Sequence, residues 1–137
     1  GPLKPQNDTD AYRIDETLET LREMWAEKMK MTYGPNAEEN IPGFFKETLG
    51  WYLPRLEKYV AKNDTTFIAS NYITIADLFF AEMFWSLVSC NKGKTDFLEA
   101  YPKLFAVYNA VLTNDKLKAY YESCKDAPNN GPSAAWQ

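Results

Sequence analysis

The sequence predicts an all-α domain arranged around one buried central helix at about residues 75–90. Apolar residues recur every three to four positions along most of the chain, which is the period of a helix. No segment alternates apolar and polar residues for long enough to predict a strand. The 137 residues are 45% hydrophobic and 15% aromatic, so they suffice for one domain with a substantial core.

A start signal for the central helix stands at residues 73–78. Thr74 is a good N-cap residue, and Asp77 follows three positions later, where its carboxylate can reach the Thr74 N–H and complete a capping box. Ile73 and Leu78 occupy the two positions of a hydrophobic staple. The residues that follow are apolar nearly all round the helix, so we expect other helices to surround it.

The remaining pattern predicts five or six helices in total. The first runs from about Thr9 or Asp10 to Met31, with apolar residues such as Leu21 and Trp25 on one stripe. The Gly-Pro pair at 34–35 indicates a loop, and the second helix is expected to start near Ile41–Pro42. Shorter helices are predicted at 96–100, at 102–112 and from Asn114 to Cys124.

The predicted helices divide the chain into three segments. Residues 1–9 are expected to be an extended lead-in, and their opening Gly-Pro is typical of a protease-cleavage scar. Residues 10–125 form the predicted domain. Residues 126–137 have no helical pattern and are expected to be a flexible tail.

The composition argues against several function classes. Lys and Arg number 15 against 19 Asp and Glu, and this net charge of -4 without a basic run disfavours nucleic-acid binding. The chain has no histidine, which removes the commonest general base and transition-metal ligand. Cys90 and Cys124 lack metal or redox spacing, so we expect reduced thiols in a cytoplasmic protein, with no metal site. No apolar stretch is long enough to predict a membrane span.

Four short motifs carry a resemblance to a known family. The stretch Ile73–Asp77 is similar to the capping box and staple at the central helix of cytosolic glutathione S-transferases. The residues 53–57, 67–70 and 101–104 resemble three further motifs of that family, in the same order and spacing. The chain from about residue 10 to 124 therefore resembles the C-terminal helical domain of these enzymes, closest to the sigma class.

The resemblance also implies what is absent from this sequence. In the family, a thioredoxin-like N-terminal domain binds glutathione, the co-substrate, and activates its thiol, and nothing here resembles that domain. We therefore expect no catalytic residue in this chain, no bound glutathione and no activity of the chain alone. The implied role is to supply part of the electrophile site and of the subunit interface, with the thioredoxin-like domain and a second subunit as partners.

The resemblance also assigns candidate site residues. Trp25, Met29, Phe79 and Met83 would form one wall of the electrophile pocket, where flexible, polarizable methionines suit varied apolar molecules. Glu23 falls near an acidic residue that, in sigma-class dimers, approaches the glutathione of the neighbouring subunit. The alternatives are ordinary core packing for the first four and a solvated helix carboxylate for Glu23.

Two other functions remain open at this stage. A helical domain of this type can serve as a non-catalytic module for protein–protein assembly. It can also bind hydrophobic ligands without chemistry. The sequence does not identify the natural electrophile or the oligomeric state.

Overall fold

The computed structural model describes residues 3–124, and within them the all-α prediction is confirmed. The helices are α1 (Asp8–Tyr33), α2 (Ala37–Gly43), a π-helical turn (Phe44–Thr48), α3 (Leu49–Asn63), α4 (Ile75–Cys90), α5 (Asp96–Glu99), α6 (Pro102–Leu112) and α7 (Asp115–Cys124). Because residues 37–63 are helical without a break, this part of the chain holds six continuous helices. The predicted tail, residues 126–137, lies outside the described residues.

The central helix is α4, and it has the predicted bounds. Its side chains Phe80, Phe84 and Leu87 are completely buried. The helices α1, α3 and α6 pack around it and bury their own apolar stripes against it or against one another. Within residues 3–124, no helix is both long and apolar enough to cross a membrane.

The start of α4 contains the capping box that the sequence predicts. The Thr74 hydroxyl accepts a hydrogen bond from the Ala76 N–H at 3.3 Å, and the Thr74 N–H donates to the Asp77 carboxylate at 2.8 Å. Ile73 and Leu78, the two staple positions, are half-buried and line the same surface depression. The chain therefore enters α4 in one fixed direction.

Asp77 does more than close its own capping box. Its second carboxylate oxygen accepts from the Ile68 N–H at 2.8 Å, so the residue also holds the loop that precedes α4. Asp77 is completely buried. Burial raises the pKa of this carboxyl to about 6, while the hydrogen bonds from Ile68 and Thr74 act in the opposite direction.

The second helix starts earlier than the sequence predicts. Asn36 adopts a left-handed conformation with φ 61°, which asparagine tolerates better than most residues, and its carbonyl accepts from the Glu39 and Asn40 N–H groups. The helix can therefore begin at Ala37. The π-helical turn then places Phe44 and Leu49, five residues apart, on the same buried side of the continuous helix.

The start of α6 is capped by a residue from another helix. Tyr101, the residue before α6, makes no side-chain cap. The Glu57 carboxylate on α3 accepts instead from the Lys103 and Leu104 N–H groups, at 2.9 and 3.0 Å. A carboxylate at this position also interacts favourably with the helix dipole. This contact fixes α6 against α3.

Asp77→Ala is expected to lower the free energy of unfolding by about 2 kcal/mol or more, because two buried N–H groups lose their acceptor. The matched control is Asp15→Ala, at an exposed position on α1, which should change the stability by less than about 0.5 kcal/mol. Urea unfolding followed by circular dichroism measures both. Equal unfolding midpoints for Asp77→Ala and the parent would refute the role given to Asp77.

Candidate functional site

Two of the predicted site residues meet at the junction of α1 and α4. The Trp25 and Phe79 rings contact edge to face, with centroids 6.1 Å apart and planes at 66°. Trp25 is 39% exposed and Phe79 is half-buried. We call this pair the aromatic wall. It presents an apolar, partly solvent-exposed surface that is built from two different helices.

The two methionines take different places relative to the aromatic wall. Met29 lies one helical turn after Trp25, on the same side of α1, and is half-buried. Met83 lies one turn after Phe79 on α4, but it is 1% exposed and belongs to the hydrophobic core. Met29 is therefore partly accessible at the surface, whereas Met83 is enclosed in the hydrophobic core.

Glu23 lies away from the aromatic wall. Two residues on a helix are about 200° apart around its axis, so Glu23 and Trp25 face nearly opposite sides of α1. The Tyr52 hydroxyl on α3 donates to the Glu23 carboxylate at 3.4 Å. Burial raises the pKa of the Tyr52 hydroxyl, and the charge of Glu23 raises it further.

Glu23 is part of a groove between α1 and α3, which we call the α1/α3 groove. It has a volume of about 220 Å³ and is lined by Glu16, Thr17, Thr20, Glu23, Trp51, Tyr52, Arg55, Leu56 and Tyr59. The Tyr59 hydroxyl spans it by donating to Glu16 at 2.8 Å. Burial, and then this hydrogen bond, raise the pKa of Tyr59 to about 12, so its hydroxyl stays protonated and remains a donor.

Sequence reasoning missed an exposed tryptophan of this groove and its cationic partner. Trp51 is 52% exposed, and the Arg55 guanidinium lies 3.8 Å from its ring centroid. The four-residue spacing of Trp51 and Arg55 on a helix could have indicated this cation–π pair.

A buried lysine beside the aromatic wall was also missed. Lys28 is only 4% exposed and lies on the buried stripe of α1, together with Leu21, Met24 and Met31. Its ammonium is 4.9 Å from the centroid of the Trp25 ring. Burial lowers the pKa of the Lys28 amine, against a smaller effect of Cys90 in the opposite direction. A lysine at a stripe position that should be apolar was the available signal.

Comparison with known proteins identifies the family. Residues 19–124 match the family described as "Glutathione S-transferase, C-terminal domain". The chain belongs to this family, in agreement with the all-helical fold and the capped central helix.

One relative extends this similarity over most of the chain. It is a Caenorhabditis elegans protein described as "Probable glutathione S-transferase gst-36", to which the chain is 28% identical over 131 residues. The alignment covers 89% of this chain and 61% of the relative, so the chain spans about three fifths of the relative's length.

Proposed function

We propose that this chain is the part of a glutathione transferase that shapes the site of the electrophilic substrate. The observation that carries the proposal is the aromatic wall, an exposed apolar surface on a domain of this family. Glutathione would be the co-substrate of the complete protein, bound and activated by a thioredoxin-like domain. In the cytoplasm such a protein would act in the detoxification of apolar electrophiles.

In this proposal the chain contributes binding and exclusion of water, not bond making. The ring of Trp25 would pack against the apolar part of the electrophile, and Met29 would adapt to its shape. Phe79 would hold the Trp25 ring in place, with Met83 supporting α4 from the core. Holding the electrophile at a fixed position favours attack by the thiolate of glutathione.

A second role is supported by the α1/α3 groove. Its exposed Trp51 and the Arg55 that stacks on this ring are residue types that are enriched at protein–protein contacts. We propose a second copy of this chain as the partner, with Glu23 at the subunit interface.

Sedimentation equilibrium should give a dimer for the parent and a larger monomer fraction for Trp51→Ala. A monomeric parent would contradict this role.

The electrophile proposal is tested with 1,3-dinitrobenzene, an unreactive analogue of an aromatic electrophile. In the chain labelled with ¹⁵N at its tryptophans, the indole N–H signal of Trp25 should shift on titration. Trp25→Ala lacks this reporter, so its affinity is measured by isothermal titration calorimetry. The variant should bind about fivefold more weakly than the parent, the order expected for one lost aromatic contact.

Trp51→Ala is the matched control, since Trp51 is also exposed but lies in the α1/α3 groove. It should leave the affinity for dinitrobenzene unchanged. If instead Trp51→Ala weakens binding and Trp25→Ala does not, the ligand site lies in the groove and the electrophile proposal is wrong. Circular dichroism of both variants verifies that they are folded.

A further inference from the structure

The structure leaves a largely buried lysine without a counter-ion directly beside the aromatic wall. Lys28 is 4% exposed, and within residues 3–124 its ammonium has no hydrogen-bond acceptor and no carboxylate in ion-pair distance. The stem of the side chain is buried, while the Nζ atom keeps some contact with solvent. The ammonium contacts the face of the Trp25 ring, 4.9 Å from its centroid, and this cation–π contact offsets only part of the cost of its reduced hydration.

The neighbouring thiol does not neutralise this charge. Lys28 interacts electrostatically with Cys90, at the end of α4. Burial raises the pKa of the Cys90 thiol to about 11, although the charge of Lys28 acts in the opposite direction. Near neutral pH the thiol is therefore protonated and carries no negative charge. The three N–H donors of Lys28 remain available to an anion.

The other lysine of the same helix shows how unusual this arrangement is. Lys30, two residues further on, is exposed and forms an ion pair with Glu27 at 3.1 Å. Lys28 instead occupies a stripe position between Met24 and Met31, where an apolar residue would pack without any charge to bury. Even a buried ion pair can often be replaced by well-packed apolar residues without loss of stability, and in the described part of the chain Lys28 has no ion-pair partner. The lysine is therefore a poor choice for stability alone.

We propose that Lys28 selects ligands of the aromatic wall that carry a carboxylate, so that the substrate class is an apolar electrophile with an acidic group. This inference rests on the proposed function of the wall. The apolar part of the ligand packs on Trp25, and its carboxylate accepts a hydrogen bond from the Lys28 ammonium. Such a charge-assisted bond satisfies the buried cation and is stronger than a neutral one.

The test compares two probes of the same ring, 1,3-dinitrobenzene and 3,5-dinitrobenzoate, on the full chain. Binding is followed through the indole N–H signal of Trp25. The parent should bind the benzoate about tenfold more tightly than dinitrobenzene, the order of one charge-assisted hydrogen bond. Lys28→Met should remove this tenfold preference and leave dinitrobenzene binding unchanged.

Two further variants complete the design. Lys30→Met removes one charge from the same helix at an exposed position, and it should retain the preference for the benzoate. Lys28→Arg keeps the positive charge and should retain most of the preference for the benzoate. A preference that survives in Lys28→Met, or that is lost in Lys30→Met, overturns the proposal, because the preference would then not depend on the Lys28 ammonium.

The remaining outcomes separate this inference from the proposed function. If dinitrobenzene binds at Trp25 but the benzoate has no advantage, only the role of Lys28 is wrong. If neither probe shifts the Trp25 signal, both proposals are wrong. Glutathione, which carries carboxylates but no aromatic ring, should not bind to this chain. Binding of glutathione that depends on Lys28 would assign the lysine to the co-substrate and contradict the inference.

Discussion

The buried carboxylate of Asp77 joins two parts of the backbone at the centre of the molecule. One oxygen accepts from the Ile68 N–H in the loop before α4, and the other accepts from the Thr74 N–H at the helix start. Both bonds lie out of contact with water, so breaking them would leave a carboxylate and two N–H groups unsatisfied in the core. Phe79 follows two residues later, and its place in the aromatic wall depends on this attachment.

A second contact of the same kind joins α3 to α6 through Glu57. The four motifs that resemble the family therefore form two pairs in space. Residues 67–70 are bound to the capping box by Asp77, and residues 53–57 are bound to residues 101–104 by Glu57. Each pair uses a carboxylate to satisfy backbone N–H groups near the start of a helix. In this structure each carboxylate therefore depends on its partner segment.

The sequence could predict the parts of the fold that depend on residues close together in the chain. The bounds of α4 follow from a cap, a capping box and a staple within six residues, so they were predictable. The cap of α6 was not, because Glu57 lies 46 residues from Lys103 along the chain. The start of α2 was missed since the left-handed conformation of Asn36 is one of several that a Gly-Pro loop permits.

The candidate site residues were named from the family resemblance. The structure places two of them, Trp25 and Phe79, in contact. Periodicity allows the buried stripe of α1 to be centred on Trp25 or on Met24 and Lys28, and the structure shows that it runs through Met24 and Lys28, with Trp25 at its edge. A lysine is by default a surface residue, and its burial depends on α4, whose Cys90 lies near Lys28 although it is 62 positions away in the chain.

The central claim is that Asp77 holds the preceding loop as firmly as the core. Amide hydrogen exchange of Ile68 and Thr74, measured by NMR on the parent chain, tests this most directly. If the account is correct, both amides exchange as slowly as that of Phe84 in the middle of α4, and therefore only on global unfolding. If Ile68 and Thr74 exchange at the rate of exposed loop amides while Phe84 stays protected, the loop opens independently and Asp77 does not organise the fold.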